Sequence, residues 1–327
     1  MKLLKTFLLG LALTCTGAFA QTSRTADYPS KPISLIVPFA PGGFVHIVAL
    51  LYSESMSAIL GQPVVVVNRP GANGNVAAES VAKAEPDGYT IFLPTASILT
   101  INPHLYKNIG FNALGDFVPV GQIANTSNLF VVSPGSGIKS FKDLVNHAKA
   151  GTASFGSSGN GSIQHISGMA LQQQANVRLN HIPYKGIGPA AVDVMGDRLT
   201  FLFGDASVIP NVKAGRLVAI AASPRRLADL PDVPALSEVV AEAGVPGYAP
   251  PAIWYGIVAP KGTPSQIVAK LNDAMAQTLK KDSVREKLIA AGANPADNTS
   301  SEAFGRVIAA DHARYAAMLK TLNITVD

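Results

Sequence analysis

The chain of 327 residues holds one cysteine, Cys15. A disulfide within the chain is therefore excluded, and so are thiolate metal sites and CxxC redox chemistry. A chain of this size buries a large core without a covalent staple. Charged residues are also sparse, at 14%. Lys and Arg outnumber Asp and Glu by only 26 to 21, and no basic stripe with interleaved aromatics is visible, so no nucleic-acid partner is expected. No run after the N-terminal stretch approaches the roughly 20 apolar residues of a membrane span. HExxH and paired His–carboxylate spacings are missing, so neither a metal nor a cofactor is expected. Repeats and low-complexity tracts are lacking too, which argues against a scaffold or adhesion module.

What is present begins with a leader. Lys2 and Lys5 supply a positive start, Phe7 to Leu13 a short apolar run, and Ala18-Phe19-Ala20 a small-x-small cleavage pattern. These three parts in this order make residues 1–20 a secretory signal, cut after Ala20, and the mature chain an exported periplasmic protein. Losing Lys2 and Lys5 with it lowers the formal charge of +5 by two. A lipid anchor on Cys15 is the lesser option, because Thr14 stands where a small Gly, Ala or Ser is usually found.

After the leader, short β-branched runs alternate with longer helical stretches. Ile33–Val37, Val64–Val67, Tyr89–Leu93, Leu129–Val132, Ala153–Phe155, Arg178–Ile182, Leu199–Phe203, Leu217–Ala221 and Tyr255–Ala259 read as strands. Helices are expected over Val45–Ile59, Val76–Lys83, Phe141–Lys149, Ile163–Gln174, Ala190–Met195, Pro264–Leu279, Ser283–Ala290 and Ser301–Leu322, with Thr263 as N-cap and Pro264 at the first position of the sixth. This alternation predicts an α/β fold of mostly parallel sheets flanked by helices. Size favours two domains. The helical C-terminal third needs a sheet to cover, so the chain is expected to build domain 1 (27–124), cross to domain 2 (125–251), and return to complete domain 1 (252–327).

Two glycine-rich loops each join a strand to a helix. The first is Pro38-Phe39-Ala40-Pro41-Gly42-Gly43, the second Gly156-Ser157-Ser158-Gly159-Asn160-Gly161-Ser162. In open α/β sheets ligands gather at the C-terminal ends of strands. A helix N-terminus there offers unpaired N–H groups and a partial positive charge, which favour an anion. On separate domains, two such loops would suit a ligand with a carboxylate at each end. Read singly, each loop is equally a tight strand–helix turn with capping serines.

The runs Tyr28-Pro29-Ser30-Lys31-Pro32-Ile33, Ile36-Val37-Pro38-Phe39-Ala40-Pro41-Gly42-Gly43 and Leu60-Gly61-Gln62-Pro63-Val64-Val65-Val66-Val67-Asn68-Arg69-Pro70-Gly71-Ala72 resemble the Bug family, the periplasmic receptors of tripartite tricarboxylate transporters. Pro86-Asp87-Gly88-Tyr89-Thr90, Gly159-Asn160-Gly161-Ser162, His181-Ile182-Pro183-Tyr184-Lys185-Gly186, Leu230-Pro231-Asp232-Val233-Pro234 and Gly256-Ile257-Val258-Ala259-Pro260 extend the likeness over nearly the whole mature chain. The resemblance implies a two-domain Venus-flytrap periplasmic binding protein that closes on a small carboxylate and delivers it to membrane permease subunits. It is expected to act as a monomer and to catalyse nothing. It directs attention to Pro41, Gly42, Gly43 and the positions after them, and to Ser158, Asn160, Gly161 and Ser162. Thr95, Ser97 and Asp205, after two further strands, are added candidates.

One departure matters. Where the family has a small residue, Thr and Asp after the double glycine, this chain reads Phe44-Val45-His46. Losing the acid disfavours an amino-acid ligand, and Phe44 offers a face for a flat ring, worth about 1 kcal/mol beyond burial. An aromatic dicarboxylate of the terephthalate type becomes the favoured ligand. Aliphatic di- or tricarboxylates and aromatic monocarboxylates stay open. So does the plainer alternative, Phe44 packed in the core and His46 serving its own helix. His165, one turn into the helix after the second loop, is a further candidate. His181 reads as structural, and His104, His147 and His312 as surface residues.

The rival function is a dinucleotide-dependent oxidoreductase. Gly186-Ile187-Gly188-Pro189-Ala190-Ala191 fits GxGxxG/A between a strand and a helix, with Asp205 at the fingerprint's distance. A hydrolase is weaker still, because Gly156-Ser157-Ser158-Gly159-Asn160 is not the GxSxG elbow.

Overall fold

The computed structural model describes residues 27–322, apart from 42, 43, 152, 224, 228, 252 and 292. The expected leader and Cys15 lie outside the described residues, as do Gly42 and Gly43.

β1 (Ile33–Val37) leads through the first glycine loop into α1 (Phe44–Leu60). β2 (Val64–Asn68), α2 (Asn75–Ala82), β3 (Thr90–Phe92), and the short α3 (Ala96–Thr100) and α4 (Asn102–Leu105) follow. A long β4 (Phe117–Thr126) is separated from β5 (Asn128–Val132) by Ser127 alone. Next come α5 (Phe141–Ala150), β6 (Ala153–Ser157), α6 (Ile163–Ala175), β7 (Leu179–Pro183), α7 (Ile187–Met195) and β8 (Phe201–Gly204). α8 (Ile209–Lys213), β9 (Val218–Ser223) and α9 (Leu236–Val239) precede β10 (Ile253–Pro260). The chain ends in α10 (Ser265–Lys280), α11 (Asp282–Ala290), β11 (Ala293–Pro295) and α12 (Ser301–Leu322).

The strands form two sheets, in the orders β11-β4-β10-β3-β1-β2 and β7-β6-β8-β5-β9. In the first, β1 lies parallel to β2 and β3, while β10 runs antiparallel to both β3 and β4, so β4 shares the direction of β1 to β3. In the second, β6 is parallel to β7 and β8, and β5 is antiparallel to β8 and β9. One direction dominates each sheet, as strand–helix alternation predicts, but the returning strands make both sheets mixed. The chain passes from one sheet to the other at Ser127 and comes back between β9 and β10. Asn128 Nδ2 donates to Pro251 O at 3.1 Å, tying the two crossings together.

Each sheet is covered on both faces. Around the first, one cluster gathers Leu35, Tyr52, Phe92, Trp254, Leu271 and Phe304, all buried. The second has separate clusters on its two faces, one around Phe130, Phe141 and Phe155, the other around Val131, Leu202 and Val194. The first cluster also takes in Ile163 and Ile166 of α6, so helix α6 of the second lobe packs against the first.

Local chemistry sets the helix ends. Ser140 accepts from Asp143 N at 3.0 Å to start α5, and Ser162 accepts from His165 N at 3.3 Å to start α6. α10 departs from expectation. Pro264, at φ −55° and ψ 137°, is its N-cap and Ser265 its first residue. The Pro264 carbonyl already accepts from Ile267 N and Val268 N, which is the cap's work. Thr263 instead donates its hydroxyl to Pro260 O at 2.7 Å. The sequence reading also passes over β4, whose Pro119 and Gly121 look like breakers. Pro119 is accommodated because β11 pairs only with residues 124–126, leaving the strand edge free there, and because β4 itself bulges beside it, with Val120 unpaired where Pro119 and Gly121 face the consecutive Val258 and Ile257.

The β10–α12 contact admits no side chain at Gly256. A Cβ there would collide with the Phe304 ring and stand 2.7 Å from the Gly121 carbonyl oxygen. Gly256→Ala is expected to destabilise the protein by about 1–3 kcal/mol and lower Tm by several degrees in a thermal melt. An unchanged Tm would show that the strand yields freely.

Candidate functional site

The first loop leaves the end of β1 and is tethered by its neighbour strand, since Asn68 Nδ2 at the end of β2 donates to Phe39 O at 2.6 Å. Pro41 is exposed. Phe44 and Val45 open α1 and are buried, at 8% and 7% exposure. The Phe44 ring lies 4.9 Å from that of Tyr255 on β10, tilted at 52°, so it belongs to the core and keeps only a margin toward solvent. His46 is half-buried, and its Nδ1 is buried with no hydrogen-bond partner among the described residues. After β3, Thr95 and Ser97 are buried with their hydroxyls 3.0 Å apart. One proton joins the two oxygens, and the other is left to donate elsewhere. Thr95 also bridges to Tyr255.

The second loop leaves β6 with Gly159 and Gly161 at φ +131° and +78°, conformations that favour glycine. Most of its polar atoms hold the loop itself. Ser157 Oγ accepts from Gly159 N at 3.1 Å and lies 2.6 Å from His181 Nε2. Ser158 Oγ donates to Gln164 Oε1 at 3.0 Å. Gly161 N donates to His165 Nδ1 at 3.1 Å. Behind the loop the imidazoles of His165 and His181 stack, with centroids 4.1 Å apart and planes at 15°, and Phe155 stacks on the far side of His181 at 5.0 Å. Burial holds both histidines down to about 4. For His181 the neighbouring His165 adds to the effect.

Two loops of the second lobe approach the first. Tyr106 Oη, just past α4, donates to Asn160 O at 3.2 Å, and the Leu105 and Tyr106 side chains pack over Gly161. Asp205, at the end of β8, is half-buried and close enough to Tyr255 for its carboxylate to reinforce burial in raising the Tyr255 hydroxyl. Its own oxygen caps the turn that follows, accepting from Ser207 N at 2.9 Å. The structure thus brings Phe44, Thr95 and Asp205 around Tyr255, and Asn160 and Gly161 against the first lobe. Ser158 and His165 face the loop interior with their hydrogen-bonding atoms, while Ser162 serves as a helix cap whose own hydroxyl proton stays available. Among the described residues no hydrogen bond takes up the backbone N–H of Ser158 or Asn160, and Ile163 and Gln164 present the free N–H groups of the α6 N-terminus.

Sequence reasoning did not single out Tyr255, Tyr106 or Asn68, and it gave His181 no part beside the second loop. All four act through contacts far apart in sequence. Only the register of β6 with β7, which places His181 opposite Phe155, carries the signal for one of them. The dinucleotide fingerprint fails on topology. A nucleotide-binding acid sits at the end of the strand adjacent to the glycine turn. Here the turn follows β7, Asp205 follows β8, and β6 lies between them.

Among the described residues no Lys or Arg side chain is buried, and no group of three or more His, Cys, Asp or Glu could hold a metal. No helix described is long and apolar enough to cross a membrane. An apolar depression of about 240 Å³, lined by Leu99, Phe117, Val258 and Ile308 among others, lies beneath α12 and shares no residue with either loop.

The family model that matches, over residues 48–324, is described as the tripartite tricarboxylate transporter family receptor. Protein BugT of Bordetella pertussis is 33% identical over 317 residues, which cover 95% of each chain. A structure of an R. palustris protein with adipate superposes at a TM-score of 0.83 with 34% identity, covering 91% of this chain and 99% of that one. MatC from Rhodopseudomonas palustris with bound malate gives 0.81 at 27% identity, covering 89% and 100%.

The histidine stack makes stability depend on pH. An unfolded histidine takes up its proton near 6.5, whereas folded His165 and His181 resist until about 4. As pH falls from 6.5 toward 4 the unfolded chain binds protons that the folded one does not, so stability is lost across that window. His104 and His312, whose rings lie 4.3 Å apart, are also held low and add to the slope. The Tm of the ligand-free protein is expected to fall between pH 7 and 5, and less steeply for His165→Asn. Parallel slopes would show that His165 does not contribute.

Proposed function

The chain belongs to the tripartite tricarboxylate transporter receptor family, and from that premise we propose that it captures an aromatic dicarboxylate of the terephthalate type between its two lobes. Receptors of this family are periplasmic binding proteins, not enzymes. They take small carboxylates and serve a membrane transporter. The proposal adds ligand identity, the contact residues and the handover of the closed form to permease subunits. We also place the lobe limits at 27–124 with 252–327 and at 125–251, the leader cleavage after Ala20, and a monomer as the working form. The strand membership of the two sheets supports those limits, although β4 itself runs on to Thr126.

One observation carries the reading. Two strand–loop–helix turns, one from each sheet, stand at the C-terminal ends of β1 and β6, and the α1 and α6 N-termini supply N–H groups without any buried cation beside them. Such an arrangement binds a carboxylate by dipoles and neutral donors. The contacts we assign in the first lobe are Pro41, Gly42, Gly43, Phe44, Val45, His46, Thr95 and Ser97. In the second lobe they are Ser158, Asn160, Gly161, Ser162 and Asp205, while His165, read from the sequence as a further contact, stands behind Gly161. Backbone N–H groups carry more of the load than hydroxyls, because the Ser158 proton is already given to Gln164. The Phe44–Tyr255 pair gives the first loop an aromatic flank, which favours a flat ring. An aliphatic dicarboxylate is the second reading, since two similar structures hold adipate and malate.

A thermal-shift screen of the mature protein tests both. Terephthalate, phthalate, benzoate, adipate, malate, citrate and aspartate would each be added. An acid at 100 times its Kd stabilises by about 2.7 kcal/mol, a visible rise in Tm. A rise with flat aromatic acids alone supports the proposal, a rise with adipate or malate alone replaces it with the second reading, and no rise with any acid defeats both. Phe44→Leu, which keeps the core filled but removes the ring face, is expected to weaken terephthalate by about 1 kcal/mol in calorimetric titration while sparing adipate. Equal affinities would remove Phe44 from the contact set.

A further inference from the structure

We propose that His165 is a positioning residue: its Nδ1 accepts the Gly161 N–H and so holds the second loop in its ligand-ready path, with the ring steadied by the stack on His181. This deepens the reading above and rests on it only for the ligand. The loop has two left-handed glycines, Gly159 and Gly161, and nothing in such a sequence keeps its path single. Three hydrogen bonds to its own flanks do so. The Ser157 hydroxyl takes the Gly159 N–H, the Ser158 hydroxyl reaches Gln164, and His165 takes the Gly161 N–H.

The third bond has a chemical condition. An imidazole nitrogen accepts only when it carries no proton, so His165 must be neutral with its proton on Nε2. The surroundings impose that form. His165 is 9% exposed, its ring lies flat on His181, and His181 is gripped between that ring and Phe155 with Nε2 on the Ser157 hydroxyl. The stack therefore joins the start of the loop, through Ser157, to its end, through Gly161. With the Gly161 N–H turned inward, the N–H groups of Ser158, Asn160, Ile163 and Gln164 are the backbone donors left for an anion. His165 thus acts on the ligand through Gly161.

Two substitutions separate an acceptor from a packed ring. His165→Asn places an amide oxygen where Nδ1 stood, and His165→Phe keeps a ring for the stack but offers no acceptor. In the ligand-free proteins, amide exchange at Gly161 is expected to be slow in the wild type and in His165→Asn and fast in His165→Phe. The imidazole 15N shifts of the wild type at pH 7 should report an unprotonated Nδ1. Titrated with terephthalate and with adipate, His165→Phe should lose about tenfold or more in affinity and His165→Asn no more than about threefold, with both variants cooperatively folded in thermal melts. His165→Phe binding as the wild type does, His165→Asn failing as badly as His165→Phe, or a protonated Nδ1 at pH 7 would each overturn the proposal. If the wild type binds neither acid, the ligand reading fails instead, and the exchange rates and the 15N shifts decide the role of His165 alone. Those two readings of the wild type also decide it should His165→Phe fail to fold.

Discussion

The antiparallel pairing of β4 with β10 is the constraint on which the molecule depends. It brings Phe117–Thr126 against Ile253–Pro260, and so joins the last quarter of the chain to a sheet begun near its start. Without that ladder the helices α10 to α12 have no surface to cover, and the second lobe is an insertion with one end loose. The ladder is fastened from outside as well. Asn272 Nδ2 donates to Val120 O at 2.7 Å, and Trp254 Nε1 donates to Asp311 Oδ2 at 2.9 Å, so α10 and α12 each bond to the same strand pair. Two bulges in β4, at Val120 and Ile123, let a strand containing Pro119 pair at all. The same pair also fixes where the chain crosses between lobes, since β4 and β10 both end at a crossing and Asn128 and Pro251 are bonded there.

From that arrangement the site follows. Tyr255 lies on β10, next to the crossing, and meets Phe44 from the first loop and Thr95 from the β3 loop, with Asp205 of the other lobe close by. A residue at a crossing lies beside both lobes, which a residue deep in either does not. The second loop follows its own economy. Its serine and histidine side chains spend their hydrogen bonds on the loop, and the backbone N–H groups of Ser158 and Asn160 are left over. Amides held this way cannot reorganise when a carboxylate arrives, and a ligand that supplies its own negative charge is favoured over a neutral one.

Much of this was legible in the sequence. Strand β1 and the helix after it were readable because Ile33–Val37 is an apolar run broken only by Ser34 and stopped by Pro38, Pro41 and two glycines. The α/β alternation and the receptor family were readable too. β4 was not, because Pro119 and Gly121 mimic a loop, and the bulges that excuse them form only against the distant β10. The roles of the loop serines were hidden for the same reason: a serine near a helix start can face a ligand or its own turn, and the partner decides. Ser158 turned inward because Gln164 lies on the next turn of α6, and Phe44 turned inward because Tyr255, far along the chain, stands beside it.

That last contact bears on how this receptor chooses a ligand. Phe44 stands where the family has a small residue, yet it presents only a margin of its ring. A buried ring beside a loop acts first by excluding volume and by keeping Tyr255 in place, and only second by touching what binds. The two readings proposed above set a flat ring against a chain of methylenes. Discrimination between them then comes from rigidity. A planar diacid holds its carboxylates at a fixed separation and loses little freedom on binding, whereas an aliphatic diacid of the same span must freeze several torsions. In the proposed reading the distance between the α1 and α6 N-termini at which both can reach the ligand is itself the specificity filter. The histidine stack then matters as much as Phe44, because it holds the second loop's side of that filter.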